Sequence, residues 1–360
     1  MKKKYFTLLS LVLSAAFSLS GCNMYPELSV NNAWCGEKDP PTGYVEELTY
    51  SVDFDKSLME DKVKNDPELS IEIGTGTYVS TLEVISGFPS TASISGKEIK
   101  SDIIDGLNAN EKQAYHLTTT LTIPVKYSYP WLDEENNEIT KVFEQVDVIE
   151  SEIYFCNRQL SYAPVYSYQK SNYTVLNYGT NIKLPRVYQT LSEISYNKSN
   201  YTVNYSYGKE EGKEGYAVHN TATNNYSFKT ITDNAMLFFM IRNTAIEKEN
   251  TTGIPTVSAN YLKDELLAIR NANTQEFEVN ITSNLGDIVD KMAVNEIRFA
   301  LNNQNASGTT QKVFVQNKVE NSTTPYRSLM IRYEEPLIAY GAFVPLGKLI
   351  YTLVEANFTE

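Results

Sequence analysis

The chain has 360 residues, enough for about two domains and a sizeable core, and its 42% hydrophobic and 21% charged content excludes a wholly disordered or fibrous protein. The 44 acidic side chains against 31 basic ones give a net charge of −13, a sign that repels phosphate backbones and excludes nucleic acid as a partner. Only 2 His, 3 Cys and 2 Trp are present, which leaves little material for general-base, thiolate or zinc chemistry.

The first element is Lys2-Lys3-Lys4, followed by an apolar run over 8–19 and then Ser20, Gly21 and Cys22. As a helix this run would cover about 18 Å, well short of a hydrocarbon core about 30 Å thick, so it is a targeting segment and not a stable span. The order of charge, short apolar core, small residues and thiol resembles the bacterial lipoprotein signal peptide, with Leu19-Ser20-Gly21-Cys22 as its lipobox. The resemblance covers residues 1–22. It implies cleavage before Cys22 and a diacylglycerol thioether on its sulfur, with palmitate-type acyl chains holding the body on the far side of a cell membrane or outer membrane. Asn23 stands where an Asp would resemble an inner-membrane retention signal. Loss of residues 1–21 removes three lysines and no acid, which takes the net charge from −13 to −16. Residues 22–43, rich in Asn, Pro and Gly, read as a tether.

With Cys22 lipidated, Cys35 and Cys156 remain, and an even pair outside the cytoplasm favours a disulfide. Closing a loop of that length would stabilise the fold by about 4 to 5 kcal/mol in the loop-entropy model, less any strain.

Beyond the tether, apolar and polar residues alternate. Leu48, Tyr50, Val52 and Phe54 share one face, opposite Glu47, Thr49, Ser51 and Asp53, the period of a half-buried strand. The same pattern runs over 117–129, where Pro124 calls for an edge or a bulge. Further strands are expected at 69–73, 77–85, 141–149, 153–156, 173–178, 190–196 and 201–207, and later at 276–282, 296–301, 312–319, 328–334 and 348–355. Helical patterning is confined to 258–272, where Leu262, Leu266, Leu267 and Ile269 have near-helical spacing, to a weaker stretch at 102–115, and to 233–246. In the last of these, a continuous apolar run follows Asp233, a suitable N-cap. Many short strands and frequent turns predict a mainly β protein, an antiparallel β-sandwich or curved sheets, with a few helices in the C-terminal half. The Gly-rich, charged run 208–215 is the natural boundary between a β-rich domain at 44–208 and a second at 216–360 with one or two helices.

One octapeptide recurs: Tyr168-Gln-Lys-Ser-Asn-Tyr-Thr-Val175 returns as Tyr196-Asn-Lys-Ser-Asn-Tyr-Thr-Val203. Two copies do not make a solenoid and predict two equivalent corners, with Lys-Ser-Asn as the turn. The chain holds 26 tyrosines, and the stretch from Tyr162 to Tyr226 is dense in them. Beside Asn, Ser and Thr, that composition suits an adaptable binding face, for which Tyr168, Tyr173, Tyr196, Tyr201, Tyr205 and Tyr207 are the candidates, although half-buried strands favour Tyr for packing alone. The acidic groups Asp133, Glu134, Glu135 and Glu138, and Asp53 with Asp55, could serve a hydrolase only if two carboxylates converge in a cleft. His116 and His219 lack metal-ligand spacing, and no nucleophile elbow or phosphate-binding loop appears. These features predict a lipid-anchored envelope protein with a non-catalytic binding or structural role, no cofactor and no metal. The membrane is its partner through the anchor, with a glycan or an envelope protein as a further one. A carboxylate-based exported hydrolase and a glycan- or solute-capturing subunit are the alternatives.

Overall fold

The computed structural model describes residues 40–107, 114–158, 161–179, 182–209, 215–228, 231–242, 251–299, 310–317, 328–341 and 344–359. Period-two patterning is realised throughout as strand. The chain is mainly β, with 16 strands in one sheet among the described residues and only short helices.

The strands are β1 Val45–Asp55, β2 Ser70–Ile73, β3 Gly76–Ile85, β4 Ala114–Leu132, β5 Glu138–Arg158, β6 Ser161–Gly179, β7 Ile182–Tyr196 and β8 Asn200–Lys209. They continue as β9 Tyr216–Asn225, β10 Thr232–Asp233, β11 Thr251–Ser258, β12 Lys263–Ile281, β13 Ile288–Phe299, β14 Gln311–Gln316, β15 Met330–Gly341 and β16 Val344–Thr359. Their order is β10-β11-β12-β13-β14-β15-β16-β1-β3-β4-β5-β6-β7-β8-β9, with β2 on β4. All neighbours are antiparallel except β10 with β11 and a short parallel contact of β15 with β6 at Tyr340↔Asn177 and Gly341↔Tyr178. That contact closes a circuit of seven strands, β6-β5-β4-β3-β1-β16-β15, from which β7 to β9 and β14 to β10 extend as two arms.

The sheet passes through the boundary expected at 208–215. Strand β1 from the first half pairs along its length with β16 from the second, and one core draws on Leu48, Tyr50 and Val52 together with Tyr351, Leu353 and Phe358. Pro124 sits where β4 exchanges one neighbour for another: β3 pairs as far as Thr122 and β2 begins at Val125. Its missing N–H therefore falls between two ladders, and the Gly74 N–H donates to its carbonyl at 2.9 Å.

The alternation of β5 divides the interior. Ile153 and Phe155 enter the main core, while Tyr154 and Cys156 enter a second cluster on the opposite face with Val165, Tyr196, Tyr201 and Val203. A segment carrying Ala92, Ile99 and Ile103 covers that second cluster.

A 3-10 turn at Asn234–Met236 leads into the helix Leu237–Arg242, and the Asp233 carboxylate accepts from the Ala235 N–H at 2.7 Å as the expected N-cap. The helix plugs the main core: Phe239 meets Tyr162 and Phe155 at ring distances of 4.9 and 5.0 Å, and Phe238 meets Tyr333 at 4.6 Å. Apolar on all sides, it is viable only because strands surround it.

Three expectations are corrected. Residues 258–272 form a hairpin, not a helix: β11 ends at Ser258, a 3-10 turn spans Ala259–Tyr261, Leu262 takes a left-handed conformation (φ 56°), and β12 starts at Lys263. The strand is favoured because Leu267 and Ile269 both enter the core at period two, and Gly253 on β11 makes room for Leu266, whose side chain lies 2.6 Å from where a Cβ would be. The octapeptide copies are not equivalent either. Lys198 and Ser199 turn between β7 and β8, with the Asn197 N–H donating to the Asn200 carbonyl at 2.8 Å, but Lys170 and Ser171 lie inside β6. Ladders on both sides, Lys170↔Glu150 and Lys170↔Leu191, hold the first copy extended. Of the stretch 102–115, Asp102–Asp105 is helical and β4 begins at Ala114, while 108–113 lie outside the described residues.

Candidate functional site

Beside the plugging helix lies a cavity of about 600 Å³, lined both from the strand circuit and from the arm that holds β12. Its walls are apolar and come from distant parts of the chain: Leu121, Ile123 and Val125 of β4, Val175 and Leu176 of β6, Leu266 and Leu267 of β12, and Leu337 of β15, with Leu237 and Phe238 as its floor. About a dozen polar side chains interrupt them. The Tyr351 hydroxyl donates to Glu335 Oε2 at 2.8 Å, and the Tyr333 hydroxyl to Gln311 Oε1 at 2.7 Å. Desolvation raises the Glu335 carboxyl above the ordinary value, as it does the phenols of Tyr333 and Tyr351.

The second carboxylate, Asp147, marks an opening in the wall. Strands β5 and β6 are paired from Arg158↔Ser161 to Val148↔Asn172, and beyond that rung β5 continues to Glu138 without β6. Asp147 stands at the parting. Its carboxylate accepts from the Thr174 N–H at 2.9 Å, the Thr174 hydroxyl at 2.7 Å and the Gln145 amide at 2.9 Å, replacing the missing ladder bonds. Burial nonetheless raises its carboxyl above the ordinary value. Asp147, Tyr173 and Thr174 all line the cavity, so the seam is also its rim. Past it the β4/β5 hairpin runs free, with Trp131, Leu132, Ile139, Val142 and Val146 exposed and Lys141 over the Trp131 ring at 4.5 Å.

Of the tyrosine candidates, only Tyr173 lines this cavity. Tyr196 and Tyr201 are buried in the second cluster, where Tyr196 hydrogen-bonds Asp233 and the Tyr201 hydroxyl donates to Asp264 at 3.0 Å, so neither offers a face to a sugar. Tyr168 packs against the same cluster, as does Tyr205, which also meets Tyr207 at 5.6 Å. Their residue type served packing, the use that strands commonly make of it.

Three of the acidic candidates have structural partners. Asp133 accepts from the N–H groups of Glu135 and Asn137 and shapes the hairpin turn, and the Asn137 backbone bond is the main reason its carboxyl is lowered. Asp55 caps the 3-10 turn that follows β1, and Asp53 accepts from the Thr75 hydroxyl at 2.9 Å. Among the described residues no group of three or more His, Cys, Asp and Glu is placed to hold a metal ion, and no helix is long and apolar enough to cross a membrane. Cys156 is buried with its Sγ 3.8 Å from the Ala163 carbonyl; Cys22 and Cys35 lie outside the described residues.

Sequence reasoning missed one cluster. His116 Nδ1 lies 3.3 Å from Glu83 Oε2, and its Nε2 lies 3.4 Å from Ser93 Oγ, the order of contacts found in a nucleophilic triad. The position where an oxyanion would sit is already filled. The buried Glu152 carboxylate accepts from the N–H groups of Ser93, Ile94 and Ser95 and from the Ser93 hydroxyl at 2.9 Å. Burial alone would raise this carboxyl, but the His116 contact and these amides outweigh it and hold it down at about 2. The cluster pins the covering segment to the sheet. Ser93 and Glu152 are 59 residues apart, so no local motif announces it.

No family model matches the chain, and no curated protein matches it. A solved structure of a β-barrel-like protein of a domain of unknown function from Brucella abortus is matched over 89% of this chain and 100% of that one, at 9% identity and a TM-score of 0.42.

Proposed function

We propose that this chain is a lipid-anchored envelope protein that binds an amphipathic small molecule in the cavity between β4, β6, β12 and β15, without catalysis. The observation that carries the reading is the cavity: about 600 Å³, lined by aliphatic and aromatic side chains with about a dozen polar ones set among them. An interior that served stability alone would be filled, because dispersion is forfeited wherever lining atoms face a void. A chain burying about 300 Å² of apolar surface gains roughly 7 kcal/mol, and ordering costs reduce this, so affinities in the micromolar range are expected. The seam beside Asp147 is the natural way in. Glycan capture has less support, since Tyr196 and Tyr201 present no accessible ring. The hydrolase has less still, because Asp133 and Asp55 are taken up in their own turns and Asp53 bonds the Thr75 hydroxyl.

N-phenyl-1-naphthylamine, an uncharged dye that brightens in apolar surroundings, should bind the purified ectodomain at about one per chain. The double variant Leu121→Trp/Leu337→Trp, which places indoles in the void, should weaken it at least tenfold while the urea midpoint stays close to that of the parent. Dye uptake that is absent, or unchanged in the folded variant, would reject the reading.

The anchor belongs to the same proposal, as does a Cys35–Cys156 disulfide tying the tether to β5. Intact-mass spectrometry should find residues 1–21 removed, Cys22 acylated and two hydrogens fewer for the cystine. An unmodified peptide running through position 22 overturns the anchor, and complete alkylation of both thiols without reductant overturns the disulfide.

A further inference from the structure

Glu335 has two carboxylate oxygens and one protein donor. Tyr351 satisfies Oε2, and among the described residues no group donates to Oε1. Glu335 is half-buried and lines the cavity, so the open acceptor position faces the void. A carboxylate oxygen that faces a largely apolar cavity without a protein donor is poorly satisfied, and a ligand that supplies a donor there gains a charge-assisted hydrogen bond.

The charges around it narrow the choice. Two carboxyls, Glu335 and Asp147, line the cavity, with Glu265 as a third at its edge, paired to Lys263 at 3.1 Å. No lysine, arginine or histidine is among the described lining residues. Strand alternation places the charges of β15: Tyr333, Glu335 and Leu337 line the cavity, whereas Arg332 and Glu334 fall on the alternate positions, where Glu334 accepts from both Arg332 and Lys348. An anionic head would enter a site that has acceptors and negative charge but no counter-charge.

We propose that the ligand's polar end donates a hydrogen bond to Glu335 and carries no negative charge, so that the cavity takes a long-chain amine or alcohol and rejects a fatty-acid anion. This rests on the cavity-binding reading and adds the chemistry of the head group.

The test is displacement of N-phenyl-1-naphthylamine by decylamine, decanol and decanoate, three ligands of equal chain length, at pH 7.4 and below their micellar concentrations. Decylamine and decanol should each displace the dye at concentrations at least tenfold lower than decanoate. In Glu335→Gln, which keeps an acceptor for Tyr351 but removes the negative charge, the margin of decylamine over decanoate should shrink at least threefold. Decylamine ahead of decanol identifies a cationic head, and the reverse order a neutral donor. Decanoate that matches or beats the other two overturns the inference while dye uptake still supports the cavity. A margin unchanged in Glu335→Gln overturns the role of that residue. Failure of the dye to bind at all removes the reading beneath both. The comparison in the parent protein needs no variant, so it stands even if Glu335→Gln fails to fold.

Discussion

Arg242→Met should destabilise the protein by about 3 to 5 kcal/mol, the largest effect expected from any single substitution in this fold. The guanidinium ends the plugging helix and meets Glu46 of β1 in two parallel bonds of 2.7 and 2.9 Å, while its Nε–H donates to the Ser328 carbonyl at 3.0 Å. Both partners are buried, with 6% and 2% of their side chains exposed. Desolvation works against the charge of the guanidinium, but the facing carboxylate more than offsets it, and Arg242 is held above its ordinary value. Removing one member leaves the other charged, enclosed and unanswered, and that penalty exceeds the net worth of the intact pair. The double variant Glu46→Leu/Arg242→Met should therefore recover most of the loss. Urea denaturation of the four proteins forms the cycle. If the single variant loses less than about 1 kcal/mol, the pair is not isolated from water as described.

Glu152→Gln should cost about 3 kcal/mol at neutral pH and flatten the acid limb of the stability profile. The folded carboxyl is held at about 2, below its value of 4.5 in an unfolded chain. A depression of that size is worth about 3 kcal/mol, because each tenfold gain in acidity on folding corresponds to about 1.4 kcal/mol. The sign follows from linkage. A lowered carboxyl contributes its full stability above the unfolded value, loses it progressively as pH falls from about 4.5 toward 2, and contributes nothing below that. Denaturation at stepped pH values should show a slope in this window for the parent that the variant lacks. Amide exchange should quicken first at Ser93, Ile94 and Ser95, whose N–H groups would lose their charged acceptor. An identical pH slope in both proteins would mean that Glu152 does not hold the covering segment.

Much of the fold was legible because strand patterning is local. Alternation over β1 and β4 marked which residues turn inward, and Asp233 marked the start of a helix, since capping needs only the next few residues. The misreading of 258–272 has a physical origin as well. Leu262, Leu266 and Ile269 satisfy a helical spacing while Leu267 and Ile269 satisfy an alternating one, and the choice fell to neighbours on β11 and β13. The cavity had no local signature, because Leu121, Val175, Leu266 and Glu335 share a wall only once the circuit closes. The same is true of Ser93, His116 and Glu152.

By itself, the order of residues determined a strongly acidic body and a chain built of strands, and it carries the resemblance to a lipoprotein signal, since charge, lipobox and period-two alternation are properties of adjacent residues. Tertiary structure decided the rest, and the repeated octapeptide shows why. Lys-Ser-Asn turns the chain at 198–200 and lies extended at 170–172, although its local preferences are the same in both places. Backbone groups must find partners, and two flanking ladders at β6 outweigh a turn preference that the gap between β7 and β8 allows.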